Sequence, residues 1–479
     1  MKIAMAASEA APYLKTGGLG DVMQALPQAL AKLPKHEIVL VLPYYGAIKY
    51  SGQFETEFVG YFDVPLAWRR EYVGVLRLKS RKKKLRVYFI DNEHYFCRDG
   101  GIYGHGDDGE RFAYFSKAVL ATLKFIGFEP DVLHCHDWQT ALIPLLLKTE
   151  YAGAFPNTKS ILTIHNIEYQ GKCNLQFNYD VLGLPQQCDE ILRFDDCTNF
   201  LKAGIVMADR VNTVSRTYAE ELQYAYYAHG LADVLRSRGS AFSGITNGID
   251  TQLYDPASMK GIAENFTPDT VRAGKLENKR ALQKLTGLPQ DDEVAVLAVV
   301  SRLVAHKGMD LLCYIAERLM QRRIQLVVAG TGEEKYEWFL AGLQYRFPQQ
   351  CAARLQFDPQ LANLIYAGAD MFLMPSKSEP CGLAQLIAMR FGTVPVVNAT
   401  GGLRDTVPPY NPETGAGCGF TFQSYNADDF LAAIDRSLQM FYDEPEKWLQ
   451  LMRNDMAVDS SWEKPAAEYM KLYESAIKG

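Results

Sequence analysis

The chain has 479 residues, 48% hydrophobic and 22% charged, an ordinary balance for a folded protein and enough for two domains of about 150 to 250 residues each. A formal net charge of -6 and a pI near 5.9 exclude a general affinity for nucleic acid or an anionic membrane, so any cations that hold phosphate must be local. Nine cysteines with no C-x-x-C spacing exclude a disulfide framework or zinc knuckle. With too little apolar length for a signal peptide, and no run near the roughly 18 residues of a membrane span, the expected location is the cytoplasm.

In chain order, "KIAMAAS" predicts a buried strand, followed by the loop "EAAPYLKTGG" and the helical pattern "GDVMQALPQALAKL". "EIVLVLP" is a second strand. The basic run Arg81 to Lys84 lies between the strand-like "YVGVLRL" and "LRVYFI" and reads as a solvated hairpin turn. "DVLHCHD" and "KSILTIHN" are further buried strands, each followed by helical patterns. Past residue 245 the series restarts with "EVAVLAVVSRL", "IQLVVAGTG", "MFLMPS" and "TVPVVNAT". Strands alternating with helices imply parallel sheets covered on both faces, and two series imply two doubly wound α/β domains. The expected bounds are 1–244, 245–458 and a terminal helix over 459–479. Trp462, Tyr469 and Tyr473 are its apolar anchors, placed to pack back on the first domain.

Ligands of open parallel sheets bind beyond the carboxyl ends of strands, so the residues following each strand are the candidates. After the first strand, Gly17, Gly18 and Gly20 permit close backbone approach, Lys15 adds a charge, and the helix N-terminus behind them attracts anions. The plain alternative is a flexible connector carrying an exposed lysine. After "DVLHCHD", Asp137 and Trp138 suit a sugar: a carboxylate takes hydroxyls and an indole covers a pyranose face. His134 and His136 point the same way along that strand, but no third ligand stands at metal spacing. His165, at the tip of the next strand, either donates to a substrate oxygen or is a satisfied core histidine.

In the second series, Arg302 ends a strand and Lys307 follows five residues later, a pair suited to a diphosphate or else two surface cations. "SEPCGLAQLI" fixes Glu379 beside a helix start, where a carboxylate can hold sugar hydroxyls and backbone N–H groups phosphate. Cys381 has no partner histidine and reads as a contact residue. Thr400, Gly401 and Gly402 form another backbone-exposing turn.

Taken in order, "SEAAPYLKTGGLGDV", "HCHDWQTALIP", "TIHNIEYQG", "TVSRTYAEE", "TNGID", "SRLVAHKG", "EPCGL" and "TGGLRDTV" resemble the bacterial glycogen synthase and plant starch synthase family nearly end to end. The resemblance implies a GT-B architecture, two Rossmann-like domains with a cleft between them. It implies transfer of glucose from ADP-glucose to the non-reducing end of an α-1,4-glucan with the α configuration kept, and no cofactor or metal.

By the same resemblance, Lys15, Thr16, Gly17 and Gly18 are expected to contact the nucleotide sugar, completing the site as the cleft closes. Arg302 and Lys307 would neutralise the leaving diphosphate. Glu379, Cys381, Gly382 and Leu383 would hold the donor glucose and distal phosphate, with Thr400, Gly401 and Gly402 on the nucleotide sugar. Asp21, Asp137, His165 and Asn247 would surround the donor sugar. Tyr95, Trp138 and Asn166 are expected on the acceptor side, and Phe357 stacked on adenine.

Three positions depart from the family pattern. Ala384 stands where a polar residue such as threonine is expected, and Gln360 and Asn363 replace an acidic residue and a histidine near the base pocket. Reaction type is thus better specified than base, which leaves UDP-glucose as an alternative donor. A sugar-phosphate acceptor would need a basic group where aromatics stand. A glucan-binding scaffold without turnover would have lost Lys15, Arg302, Lys307 or Glu379, and all four are present. A nucleotide-dependent oxidoreductase lacks its G-x-G-x-x-G loop.

Overall fold

The computed structural model describes residues 1–80, 84–356 and 358–479. The chain forms two compact units: Met1–Asn247 together with Trp462–Gly479, and Gly248–Ser461. It leaves the first unit inside the Asn247-Gly248 pair rather than at 244/245, and re-enters at Trp462 rather than 459. Two connecting segments run side by side there. Ile249 N–H donates to the Ser460 carbonyl at 2.8 Å, and a Cβ on Gly248 would meet the Ser461 carbonyl oxygen at 2.5 Å.

Lys2–Ala6 lies in the middle of the first unit's nine-stranded sheet, parallel to Glu37–Pro43 on one side and Val132–His136 on the other. The chain winds outward to Leu85–Asp91, then crosses back to Val132–His136, Lys159–Ile164, Arg210–Thr213 and Phe242–Gly244. All of these are parallel, and their Ile, Val, Leu and Ala side chains are buried. Thr56–Leu66 and Arg69–Leu78 add an antiparallel edge, so the sheet is mixed rather than wholly parallel. Of the basic run expected as a turn, residues 81–83 lie outside the described residues; the strands flanking it pair antiparallel.

The helix Gly18–Lys32 buries Leu19, Val22, Met23, Leu26 and Leu30, one face at three- and four-residue spacing. The terminal helix Glu463–Lys478 buries Ala466, Tyr469, Met470, Tyr473 and Ala476 in the same way, within the first unit's core.

The second unit's sheet is parallel throughout. Ala295–Val300 sits inside, Ile324–Ala329 and Cys351–Arg354 extend one way, and Met371–Met374, Val394–Asn398 and Phe420–Phe422 the other. Each sheet therefore reverses its winding once, beside Lys2–Ala6 in the first unit and beside Ala295–Val300 in the second. A crevice at the carboxyl ends of the strands is the consequence of such a reversal. No described helix is long and apolar enough to cross a membrane.

Because Tyr469 is fully buried, Tyr469→Ala is expected to destabilise the first unit by about 3–5 kcal/mol, read from the shift of its urea transition.

Candidate active site

At the first reversal, the loop after Lys2–Ala6 is organised by a residue that sequence reasoning missed. The buried Glu9 carboxylate accepts from Thr16 N–H and Thr16 Oγ1, both at 2.7 Å, and from Gly20 N–H at 3.2 Å. Burial holds the Glu9 carboxyl above its usual range, although the Thr16 and Gly20 bonds pull it down. This corrects the expectation of open amides at the helix start: Glu9 already occupies part of the anion site. Lys15 is not loose either, since its Nζ pairs with Asp21 Oδ1 at 2.7 Å. Gly20 is demanded by that arrangement, because a Cβ there would fall 2.3 Å from Lys15 Cβ. Gly17 is different. Its backbone is extended, a Cβ there meets nothing nearer than Glu9 Oε1 at 3.9 Å, and the unit's own packing does not require glycine.

Across the reversal, the strand Val132–His136 delivers Asp137 with a positive φ of 57°, a conformation uncommon outside glycine and favoured where a site imposes it. Its Oδ1 accepts from the N–H groups of His165 at 2.6 Å and Asn166 at 3.3 Å, tying together the ends of two neighbouring strands. Burial against those bonds pushes the Asp137 carboxyl up to about 7. Adjacent parallel strands place His134 and His136 on one face with Thr163 and His165. His136 Nδ1 lies 2.9 Å from His165 Nε2, and His134 bonds Tyr473 and Thr163 at 2.8 and 2.6 Å. Burial pushes His165 down to about 3, so it is neutral at physiological pH. No three His, Cys, Asp or Glu groups gather into a metal site among the described residues.

A cavity of about 650 Å³ in this unit is lined by His105, Asp107, Glu110, Trp138, Tyr169 and Phe177, among others. Trp138 lines it edge-on to Phe112, while a Cβ on Gly171 would strike the indole at 2.3 Å. Tyr95 does not: it is buried, stacked on Tyr114, and spends its hydroxyl on Glu110 at 2.8 Å, which itself lines the cavity. The expected direct acceptor contact of Tyr95 is corrected to a core role behind Glu110. Asn166 closes a turn, its Oδ1 accepting from Glu168 N–H at 3.0 Å. Asn247 is buried, and its Oδ1 has no partner among the described residues.

At the second reversal the structure brings Lys307 and Glu379 together. Lys307 Nζ lies 2.9 and 2.7 Å from the two Glu379 oxygens, and Ser376 Oγ donates to Oε2 at 2.9 Å. Glu379 is only 5% exposed, so the pair is a shielded one. The loops are sewn together by Lys377 N–H to the His306 carbonyl at 2.9 Å. Gly308, with φ of 79°, must be glycine, since a Cβ would lie 2.1 Å from the Pro375 carbonyl oxygen. The Arg302 side chain is exposed and forms no ion pair among the described residues.

The turn after Val394–Asn398 closes on the same place. Gly402 N–H donates to the Glu379 carbonyl at 2.9 Å, and Asn398 Nδ2 to the Ser376 carbonyl at 2.8 Å. Thr400 precedes the short helix Gly401–Thr406 and is buried. Gln385, also missed in the sequence, clamps the carbonyls of Cys381 and Gly382 at 3.1 and 2.8 Å. Leu383 leads into the helix Ala384–Arg390 from that clamped turn, and Cys381 is buried. Near the expected base pocket, Asp358 caps the helix Pro359–Gly368 through Gln360 and Leu361 N–H groups, with Asn363 half-buried. Phe357 lies outside the described residues.

Residues 2–237 match the model of the starch synthase catalytic domain, and residues 283–450 that of the glycosyl transferases group 1. Two doubly wound units with polar groups at both reversals and these two matches define a glycosyltransferase of the GT-B class. Glycogen synthases of Streptococcus sanguinis (strain SK36) and Bacillus cereus (strain Q1) are 44% and 42% identical to the chain over the whole of both sequences. The catalytic domain of starch synthase IV from Arabidopsis thaliana, bound to ADP and acarbose, superposes with a TM-score of 0.91 at 32% identity, over 100% of this chain and 99% of that one. Sucrose-phosphate synthase from Thermosynechococcus elongatus shares the fold, with a TM-score of 0.61 at 18% identity over 100% and 99% of the two chains. The chain belongs to the glycogen synthase family, and it is a hexosyltransferase.

Asp137 gives this site a signature in pH. An unfolded aspartate loses its proton near 4, whereas the folded one keeps it to about 7, so the native state binds the extra proton in between. Its contribution to stability is complete below the unfolded value and lost as pH rises through 7. Asp137→Asn keeps an acceptor for His165 N–H without the ionisation. Its melting temperature relative to wild type is expected to be higher at pH 8 than at pH 5, measured by scanning fluorimetry.

Proposed function

We propose that the chain transfers glucose from ADP-glucose to the non-reducing end of an α-1,4-glucan, keeping the α configuration and releasing ADP. The observation that carries this reading is the cation pair at the second reversal: Lys307 held by the shielded Glu379, and Arg302 open beside the same strand end.

The acceptor's 4-hydroxyl oxygen forms a bond to glucose C1 on the face from which the diphosphate departs. The C1–O bond to the β-phosphate breaks, and the hydroxyl proton passes to the departing phosphate oxygen. No protein nucleophile enters. Negative charge builds on the diphosphate as the bond lengthens, and Arg302 and Lys307 meet it there, doing the work that a magnesium ion does elsewhere. Glu379 fixes Lys307 and accepts from a glucose hydroxyl, while the Cys381-Gly382-Leu383 and Thr400-Gly401-Gly402 turns supply backbone N–H groups. Thr16, Gly17, Gly18 and Asp21 join Lys15 in contacting the nucleotide sugar, with Asp137, His165 and Asn247 around the glucose. The cavity lined by Trp138 suits the glucan, because its wall combines carboxylates with aromatic faces, and Asn166 is assigned to the same acceptor. The donor is itself activated, so no resident cofactor is needed. All nine cysteines are free thiols, which supports a cytoplasmic setting.

Glucose transfer to glycogen tests the reading directly. Arg302→Ala is expected to lower kcat with ADP-glucose by about 10²- to 10³-fold with an unchanged melting temperature, because the side chain is exposed. Transfer from UDP-glucose in preference to ADP-glucose would move the base assignment; transfer from neither would overturn the reading. In the same assay, Lys15→Ala is expected to raise KM for ADP-glucose, measured as initial rates against donor concentration.

A further inference from the structure

His136 is fully buried and directly bonded to His165. Resting on the reading that His165 faces the donor sugar, we propose that His136 is a positioning residue that fixes His165 as its Nδ1–H tautomer, so that the sugar meets a hydrogen-bond donor.

Thr163 Oγ1 donates to Asn212 Oδ1 at 2.7 Å, so its lone pair receives the Nε2–H of His134 at 2.6 Å. His134 Nδ1 is then the acceptor for the Tyr473 hydroxyl at 2.8 Å. With both nitrogens engaged, His134 is a fixed platform, and the His136 ring lies on it at 4.0 Å between centroids. His136 has one bonded nitrogen, Nδ1, while its Nε2 is buried without a partner among the described residues. A proton on Nε2 would be a buried donor with no acceptor, the costlier of the two ways to leave that atom unpaired. The single proton of the neutral ring therefore sits on Nδ1 and points at His165 Nε2, 2.9 Å away. His165 Nε2 accepts, and its own proton is left on Nδ1, which bonds nothing else among the described residues. Burial keeps all three rings neutral, so no second proton reverses the order.

The test is the nitrogen spectrum of the full chain labelled with ¹⁵N-histidine, free of donor and acceptor at pH 7.5, with His165 identified by the signals lost in His165→Gln. A pyrrole-type Nδ1 and pyridine-type Nε2 are expected for His165; the reverse pattern overturns the proposal without any variant. His136→Leu removes the donor and is expected to release the His165 pattern into a mixture. In transfer assays it is expected to lower kcat about tenfold, the scale of one hydrogen bond, with KM for the donor little changed. His136→Asn, whose amide nitrogen reaches about where Nδ1 sits, is expected to restore both. An unchanged His165 pattern in His136→Leu overturns the proposal, as does failure of His136→Asn to restore it. Absence of transfer by the wild type would count against the functional reading alone, since the tautomer is read with no substrate present.

Discussion

The reversal of winding beside one strand in each sheet is the constraint on which the rest depends. Where successive crossovers leave a sheet on opposite sides, the loops after the two adjoining strands diverge and leave strand ends uncovered. Those loops start at Ala7 and Asp137 in the first unit and at Ser301 and Pro375 in the second. They are held by polar groups, either within one loop or between the ends of neighbouring strands. Glu9 gathers the Thr16 and Gly20 amides, Asp137 gathers those of His165 and Asn166, and Lys377 bonds His306. Gly308 and Gly402 are the points at which backbone meets backbone, with no room for a Cβ on either. The polar chemistry is therefore a consequence of topology, and its residue types follow from what each loop must satisfy.

Burial then sorts the two units into different electrical characters. Glu9, Asp137, His134, His136 and His165 have no opposite charge against them among the described residues, and desolvation moves each toward its neutral form. The first unit's strand ends thus offer hydroxyl-like donors and acceptors, the groups that match a sugar. In the second unit the half-buried Lys307 is paired with the buried Glu379, and Arg302 remains open. That surface presents an ion pair beside an open guanidinium, groups that match a diphosphate.

The buried parallel strands are legible in the sequence because they are continuous apolar runs bounded by turn residues. The antiparallel edge is less so: Thr56–Leu66 exposes Phe58 and Tyr61, and its alternation is diluted by aromatic residues on the solvent side. Among site residues, the charged ones at strand ends stand out, since a cation after an apolar run is seldom accidental. Glu9 and Gln385 do not, because their function is to satisfy backbone groups that only the folded loop brings near. Tyr95 misleads for the opposite reason. An aromatic residue with a hydroxyl fits a sugar wall and a polar-tipped core equally well, and only its stack on Tyr114 and bond to Glu110 decide between them.

The terminal helix shows how a hydrophobic pattern conceals a polar requirement. Tyr469 and Tyr473 read as apolar anchors by their spacing, and phenylalanine would satisfy that spacing equally. Their hydroxyls are needed because His134 and Asn212 are buried beneath them, and a nitrogen left unpaired there costs about 1–3 kcal/mol. Tyr473 donates to the nitrogen of His134 that the Thr163 bond leaves as the acceptor, and the fixed ring gives His136 a surface to lie on. Within the first unit, then, the last turns of the chain help to define the environment of a histidine some 300 residues earlier in sequence. The ordering needs no charge and no moving part, only a set of neutral groups each left with one way to bond.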